Sequence, residues 1–216
     1  MERDADFYLQ NAIFLVEGVL FKVPIVNFTL ESEVFRTMFE LPQSPNCATD
    51  GSVDAHPIRL DDVRREDFKQ LLRVMYFRSF VSDELRLSES EWTSVLVLAA
   101  RWEMSRLRTL AIDKLTPYFA TDPHKLIVMG RRHGIDSWLT SGIHLLVLRK
   151  LPMDEDDANI IGSSASLRVS ALREWTLQWK IAHRDSTEWI LNRRDMPPVR
   201  DTLGRIRDAF GLLDPE

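Results

Sequence analysis

Residues 19–39, VLFKVPIVNFTLESEVFRTMF, decide the fold. Leu20, Phe21 and Val23 suit a strand, and Pro24 ends the pairing because it brings no backbone donor. Ile25, Val26 and Phe28 then turn apolar side chains toward a core on a short helix. Ser32 is a good N-cap acceptor with Glu33 in the first turn behind it. Val34, Phe35, Met38 and Phe39 follow at the i, i+1, i+4, i+5 spacing of one buried stripe, so a second helix starts at once and stops before Pro42.

Upstream of this stretch, the span from Phe7 to Glu17 holds the apolar run Ile13 to Val16, and Glu17-Gly18 fits the two-residue turn of a hairpin. Downstream, Pro42 to Pro57 carries Pro45 and Gly51 as well and reads as an exposed loop, longer than most connections in a compact domain. His56 to Val63 predicts a third strand through Ile58 and Leu60. Arg64 to Phe77 predicts a helix burying Phe68, Leu71, Leu72 and Met75. Arg78 to Arg86 is polar and reads as a loop. Ser88 with Glu91 three residues on forms a capping box, and Trp92, Val95, Leu96, Ala99 and Ala100 keep helical spacing after it. Leu107, Leu110, Ala111 and Leu115 repeat the stripe beyond a break at Met104-Ser105, with Pro117 closing that helix.

These residues carry a resemblance. The order Phe21, Pro24, Phe28, Ser32, Phe35, Met38, Phe39 resembles the signature of the BTB/POZ domain, where a strand's aromatic, a His, a Leu, a Ser-x-x-Phe and a terminal Met-Phe follow at this spacing. Pro24 stands where the family usually has His and Phe28 where it usually has Leu, so a role resting on that His does not carry over. Phe68, Leu71, Leu72, Tyr76 and the helix pair from Trp92 to Leu115 continue the likeness. Within the family the chain looks most like the expanded set of basidiomycete fungi, through the strings Phe39 to Gln43 and Glu91 to Leu96. The implied fold is α+β, a small three-stranded sheet flanked by helices over 1–118, followed by an all-helical extension over 119–216 that is BACK-like at its start.

The extension is marked by local signals. Asp122-Pro123 supplies a cap and a first-turn proline, Leu126, Ile127 and Met129 an apolar face, and Gly134 a stop, with Trp138 to Leu148 as the next helix. A short acidic helix ends near Gly162, and Leu167 to Ala182 places Leu172, Trp175 and Trp179 at turn-by-turn spacing. Val199, Leu203, Ile206 and Phe210 form the stripe of a last helix that Gly211 ends.

Composition narrows the function. A net charge of −5 is the wrong balance for a chain that lives on phosphate backbones, so no direct nucleic-acid partner is expected. No apolar run approaches the ~18 residues of a membrane helix, and the charged start lacks a signal region, so the expected address is cytoplasmic or nuclear. The single Cys47 excludes an intrachain disulfide.

Candidate chemistry is thin. The sequence shows no Gly-x-Ser-x-Gly and no Gly-x-x-x-x-Gly-Lys, and His56, His124, His133, His144 and His183 never fall at ligand spacing. Asp154 to Asp157 is the one dense carboxylate run. It lacks the alternation and turn glycine of a calcium loop, and favourable charge at a helix N-terminus accounts for it. Trp92, Trp138, Trp175 and Trp179 lie on apolar faces as core, Trp102 and Trp189 are not placed by spacing, and Arg193, Arg194, Arg200, Arg205 and Arg207 read as a solvated face. No catalytic, cofactor or metal residue is therefore expected.

What the resemblance implies is a non-enzymatic protein-interaction module that pairs with itself or with another BTB domain. Its contacts would come from the N-terminal strand and first helices, here Phe14, Val16, Ile25, Phe28 and Leu30. Some family members bind cullin-3 as substrate adaptors, which would place partner contacts at Phe39, Leu41, Tyr76 and Phe77. The alternatives are a transcription-associated regulator acting through partner proteins, or an enzyme on an unrecognised fold.

Overall fold

A computed structural model of the chain describes residues 2, 4, 8–41, 50–76, 85–183 and 197–212. The contacts divide it into two compact units, Met1–Pro117 and Tyr118–Glu216. In the first, β1 (Asn11–Val16) and β2 (Val19–Pro24) pair antiparallel across Glu17-Gly18. Both turn residues have positive φ, 46° and 77°, as the tight turn that matches strand twist requires. β3 (Ile58–Arg59) lies parallel to the other side of β1, giving the order β2-β1-β3. This strand is shorter than the span His56–Val63. Leu60 still donates its N–H to Leu15, after which the chain turns at Asp61-Asp62 and buries Val63.

α1 (Val26–Glu31) and α2 (Glu33–Glu40) follow β2, separated by Ser32 alone. Ser32 caps α2 by accepting the Phe35 N–H at 3.2 Å and donates its own hydroxyl to the Trp102 carbonyl at 2.6 Å. α3 (Arg65–Tyr76), α4 (Glu89–Arg101) and α5 (Ser105–Phe119) complete the order. The capping box of α4 is formed, and the Ser88 backbone N–H holds the Glu91 carboxyl below its ordinary range. Pro117 sits inside α5 instead of closing it. It falls in the last turn, so its missing donor costs one backbone bond and Phe119 is still carried to a buried position.

Aromatic rings fill the space between sheet and helices. Phe14 lies 5.1 Å from Phe28 and 5.5 Å from Phe68, Phe28 lies 4.8 Å from Phe35, and Trp102 meets Phe35 edge-on at 5.2 Å. The helical stripes differ from their sequence reading by one position in several places. Leu72, Leu110, Ala100 and Val34 are half-buried or exposed, while Gln70 and Leu98 are buried. Spacing names a face to within a residue, and packing decides its edge.

The described end of the long loop, from Asp50 to Pro57, is docked. Gly51 is buried with φ 82°, accepts the Ile13 N–H at 2.8 Å, and would place a Cβ 2.7 Å from Ile58 Cδ1. Gly51→Ala is expected to cost about 1–3 kcal/mol, since a side chain meets both a left-handed backbone and a filled space. A urea midpoint unchanged from wild type contradicts this.

The second unit is helical: α6 (Pro123–His133), α7 (Asp136–Leu148), α8 (Glu155–Ile161), α9 (Ser163–His183) and α10 (Val199–Phe210). Asp122 caps α6 through the Lys125 N–H, with Pro123 in its first turn and Gly134 left-handed at its end. α6 and α7 approach closely because Gly142 sits where a Cβ would meet the Pro123 carbonyl at 2.7 Å. Ile127, Ile143, Leu146, Val169, Leu172 and Ile206 form the core of this unit. On α10, Val199 is exposed and Thr202 takes its place on the buried face, its hydroxyl reaching the Pro198 carbonyl at 3.4 Å.

Candidate functional site

α1 is short and buries one residue, Phe28. Val26 and Leu30, one turn apart on the same side, are 41% and 71% exposed. On α2 Phe35 points inward, Val34 is exposed, and Leu41 at its end is 58% exposed. This outward apolar set rests on a rigid base. The Asn27 amide donates to the Met75 carbonyl at 2.8 Å, tying α1 to the end of α3, and Ser32 ties the α1–α2 junction to the end of α4. Asn27 and Trp102 had no sequence signal for these roles, because both bonds join segments far apart in the chain.

The residues expected to contact a second chain divide sharply. Phe14, Val16 and Phe28 are 0% exposed, so the expectation that they meet a partner is corrected. They are apolar because the chain's own core needs them, and they act only by holding the surface residues in place. Ile25 is half-buried at the start of α1, with its N–H given to the Gln10 carbonyl. Leu30 stands in the open.

Of the second set, Phe39 is half-buried and stacked on Phe35 at 6.2 Å, and Leu41 is exposed. Tyr76 is half-buried, and its hydroxyl, pushed up by burial, donates to the Pro24 carbonyl. Tyr76 therefore faces β2, while Phe39 and Leu41 end α2. Phe77 lies outside the described residues, as do Phe7, residues 42–49 with Cys47, most of the loop from Arg78, and Trp189, Arg193 and Arg194.

The carboxylate run opens α8 as a helix N-terminus favours, yet its last member does more. Asp157 is fully buried; it accepts from both terminal nitrogens of Arg149, from His124 at 2.6 Å and from the Asp154 backbone N–H at 2.9 Å. Burial would push this carboxyl up, but those donors pull it down to about 2. The cluster joins α6, the end of α7 and α8 through the two carboxylate oxygens of Asp157. Trp175 on α9 carries the Arg205 guanidinium over its ring at 4.3 Å, while Arg205 itself stays exposed on the outer face of α10. Among the described residues no His, Cys, Asp and Glu side chains group so as to hold a metal ion, and no helix is long and apolar enough to cross a membrane.

A family model of the BTB/POZ domain matches residues 6–117, more than half of the chain. Curated proteins searched with the chain give no match. BTB/POZ domains are in general protein-interaction modules. The matched residues hold the hairpin, the paired helices α1 and α2, β3, and the capped helices that follow, and the chain belongs to the BTB/POZ domain family.

Proposed function

We propose that the first unit pairs with a second copy of itself or with another BTB domain through the outward side of α1 and α2. The observation that carries this is Leu30, 71% exposed one turn from exposed Val26 on a helix that buried Phe28 and the Asn27 bond to the Met75 carbonyl fix to the fold. A large apolar side chain fixed in water on a rigid element is costly alone and useful under a partner. Light scattering at tens of micromolar is expected to give a dimer for the wild type. Leu30→Glu is expected to give a monomer whose thermal midpoint falls only by the stabilisation that pairing adds, because Leu30 lies outside the core. A monomeric wild type overturns the reading.

A second role rests on a separate observation. Leu41 is exposed beside half-buried Phe39 at the end of α2, the place where adaptor members of the family meet cullin-3. We read the chain as such an adaptor in the cytoplasm or nucleus, of the basidiomycete kind that the strings at 39–43 and 91–96 resemble. Native purification should then carry cullin-3 along, and Leu41→Glu should lose it. Purification without cullin-3 removes the adaptor role and leaves pairing intact.

A further inference from the structure

We propose that the free edge of β2, with the cleft between β2 and α3, receives an extended acidic and apolar peptide segment of another protein. The surface is distinct from the α1–α2 face and the proposal does not rest on pairing there. β2 is an outer strand of the sheet. Ile13 and Leu15 make their backbone bonds away from β2, to Gly51 and Leu60, so Ala12, Phe14 and Val16 bond across to Val23, Phe21 and Val19. The N–H and C=O groups of Leu20 and Lys22 therefore point outward. Among the described residues they have no hydrogen-bond partner. The open ladder also has a stop, since Pro24 has no N–H and its carbonyl is taken by Tyr76.

Beside this edge, α3 turns Lys69, Leu72, Arg73 and Tyr76 toward Phe21 and Val23, at the i, i+3, i+4, i+7 positions of one helix face, around a cleft of about 450 Å³. A strand laid on Leu20 and Lys22 would place alternate side chains over this cleft. Apolar ones fit against Phe21, Val23 and half-buried Leu72. Acidic ones meet Lys69 and Arg73 on that face and Lys22 on the other. The present partners of these cations are surface carboxylates, Glu66 at 4.0 Å from Lys69 and Glu91 at 3.6 Å from Arg73, with Gln70 also bonded to Arg73. Such pairs exchange at little cost.

Lysine and proline on an edge also discourage strands from pairing with one another. That accounts for Lys22 and Pro24 but not for an apolar cleft alongside them. It also argues against a second copy as occupant, because antiparallel β2 edges would bring two Lys22 side chains together. Charge selects an acidic strand.

The probe is an acetylated, fluorescein-labelled octapeptide of two Val-Val-Glu-Glu repeats, which puts valine and glutamate on both faces of a strand, titrated with the full chain by anisotropy. Saturable binding is expected, weakened at least about tenfold by Leu72→Glu and by Leu20→Pro. The proline removes an outward N–H and leaves the β1 ladder alone. A valine–lysine peptide, and a valine–glutamate peptide N-methylated at alternate residues, should bind at least about tenfold more weakly. If either single variant fails to fold, the exposed pair Lys69→Glu with Arg73→Glu should give the same loss and favour the lysine peptide. The proposal is overturned by no binding of the acidic peptide at about 1 mM protein. Equal binding by the folded variants also overturns it. So does self-association that Leu20→Pro disperses, since the occupant is then a second copy. Leu30→Glu should leave peptide binding unchanged, which keeps failure here separate from failure of pairing.

Discussion

Phe28→Ala should lower the stability of the first unit by about 3–5 kcal/mol and abolish pairing in the same step. Phe28 is 0% exposed and touches rings on three elements: Phe14 on β1 at 5.1 Å, Phe35 on α2 at 4.8 Å and Phe68 on α3 at 6.3 Å. Removing it opens a cavity that this aromatic cluster cannot close without moving several large rings. It also removes the only buried side chain of α1, and a helix that short has no stability of its own. Val26 and Leu30 would then no longer be presented on a fixed surface. Native-state hydrogen exchange read on β1 and α4 reports the loss in this unit alone. Phe28→Leu, which keeps most of the volume, should recover most of it. Leu30→Glu should lose pairing and only the protection that pairing adds, whereas Phe28→Ala should fall below that monomer level. Protection within about 1 kcal/mol of wild type in Phe28→Ala would show that Phe28 is not what holds α1.

The division between Phe28 and Leu30 also shows what sequence can carry. Pro24, Ser32, Ser88 with Glu91, Asp122-Pro123 and Gly134 act on backbone groups within a few residues of themselves, so the elements that they start and stop were legible one by one. The surface was less so. Core and interface both ask for apolar residues, and the chain offers Phe14, Val16, Ile25, Phe28 and Leu30 without saying which side each faces. Only packing by α2 and α3 separates them. Trp102 was unplaced because it lies at the end of α4, off its stripe, and is fixed by a hydroxyl 70 residues earlier. Thr202 was passed over for Val199 because hydropathy ranks valine as the inner residue. Yet Val199 opens α10 beside exposed backbone, and the threonine hydroxyl finds the Pro198 carbonyl locally.

Asp157 is the position where a local explanation was sufficient and incomplete. Its place in the first turn of α8 accounts for a carboxylate; its burial requires Arg149 and His124, which fold brings from elsewhere. Asp157→Ala is expected to cost the second unit about 3–5 kcal/mol. The Arg149 guanidinium, whose Nε is buried without a partner among the described residues, would lose its counter-charge while remaining near Arg173, itself pushed below its ordinary value by burial and by Arg149. Replacing the pair together, Asp157→Leu with Arg149→Met, should restore most of the loss, because the penalty comes from an uncompensated charge and not from the absence of a salt bridge. The carboxyl also fixes a pH dependence. Its value in the folded chain, about 2, lies below the ordinary 3.8, so the folded state favours the ionised form. That stabilisation is complete above about pH 4 and is lost as pH falls through about 2. Urea midpoints taken from pH 5 to 2.5 should therefore fall more steeply for wild type than for Asp157→Asn, which has no charge to lose. Parallel slopes would mean that the carboxylate is not what joins α6, α7 and α8, and that Arg149 is held by the Pro152 carbonyl instead.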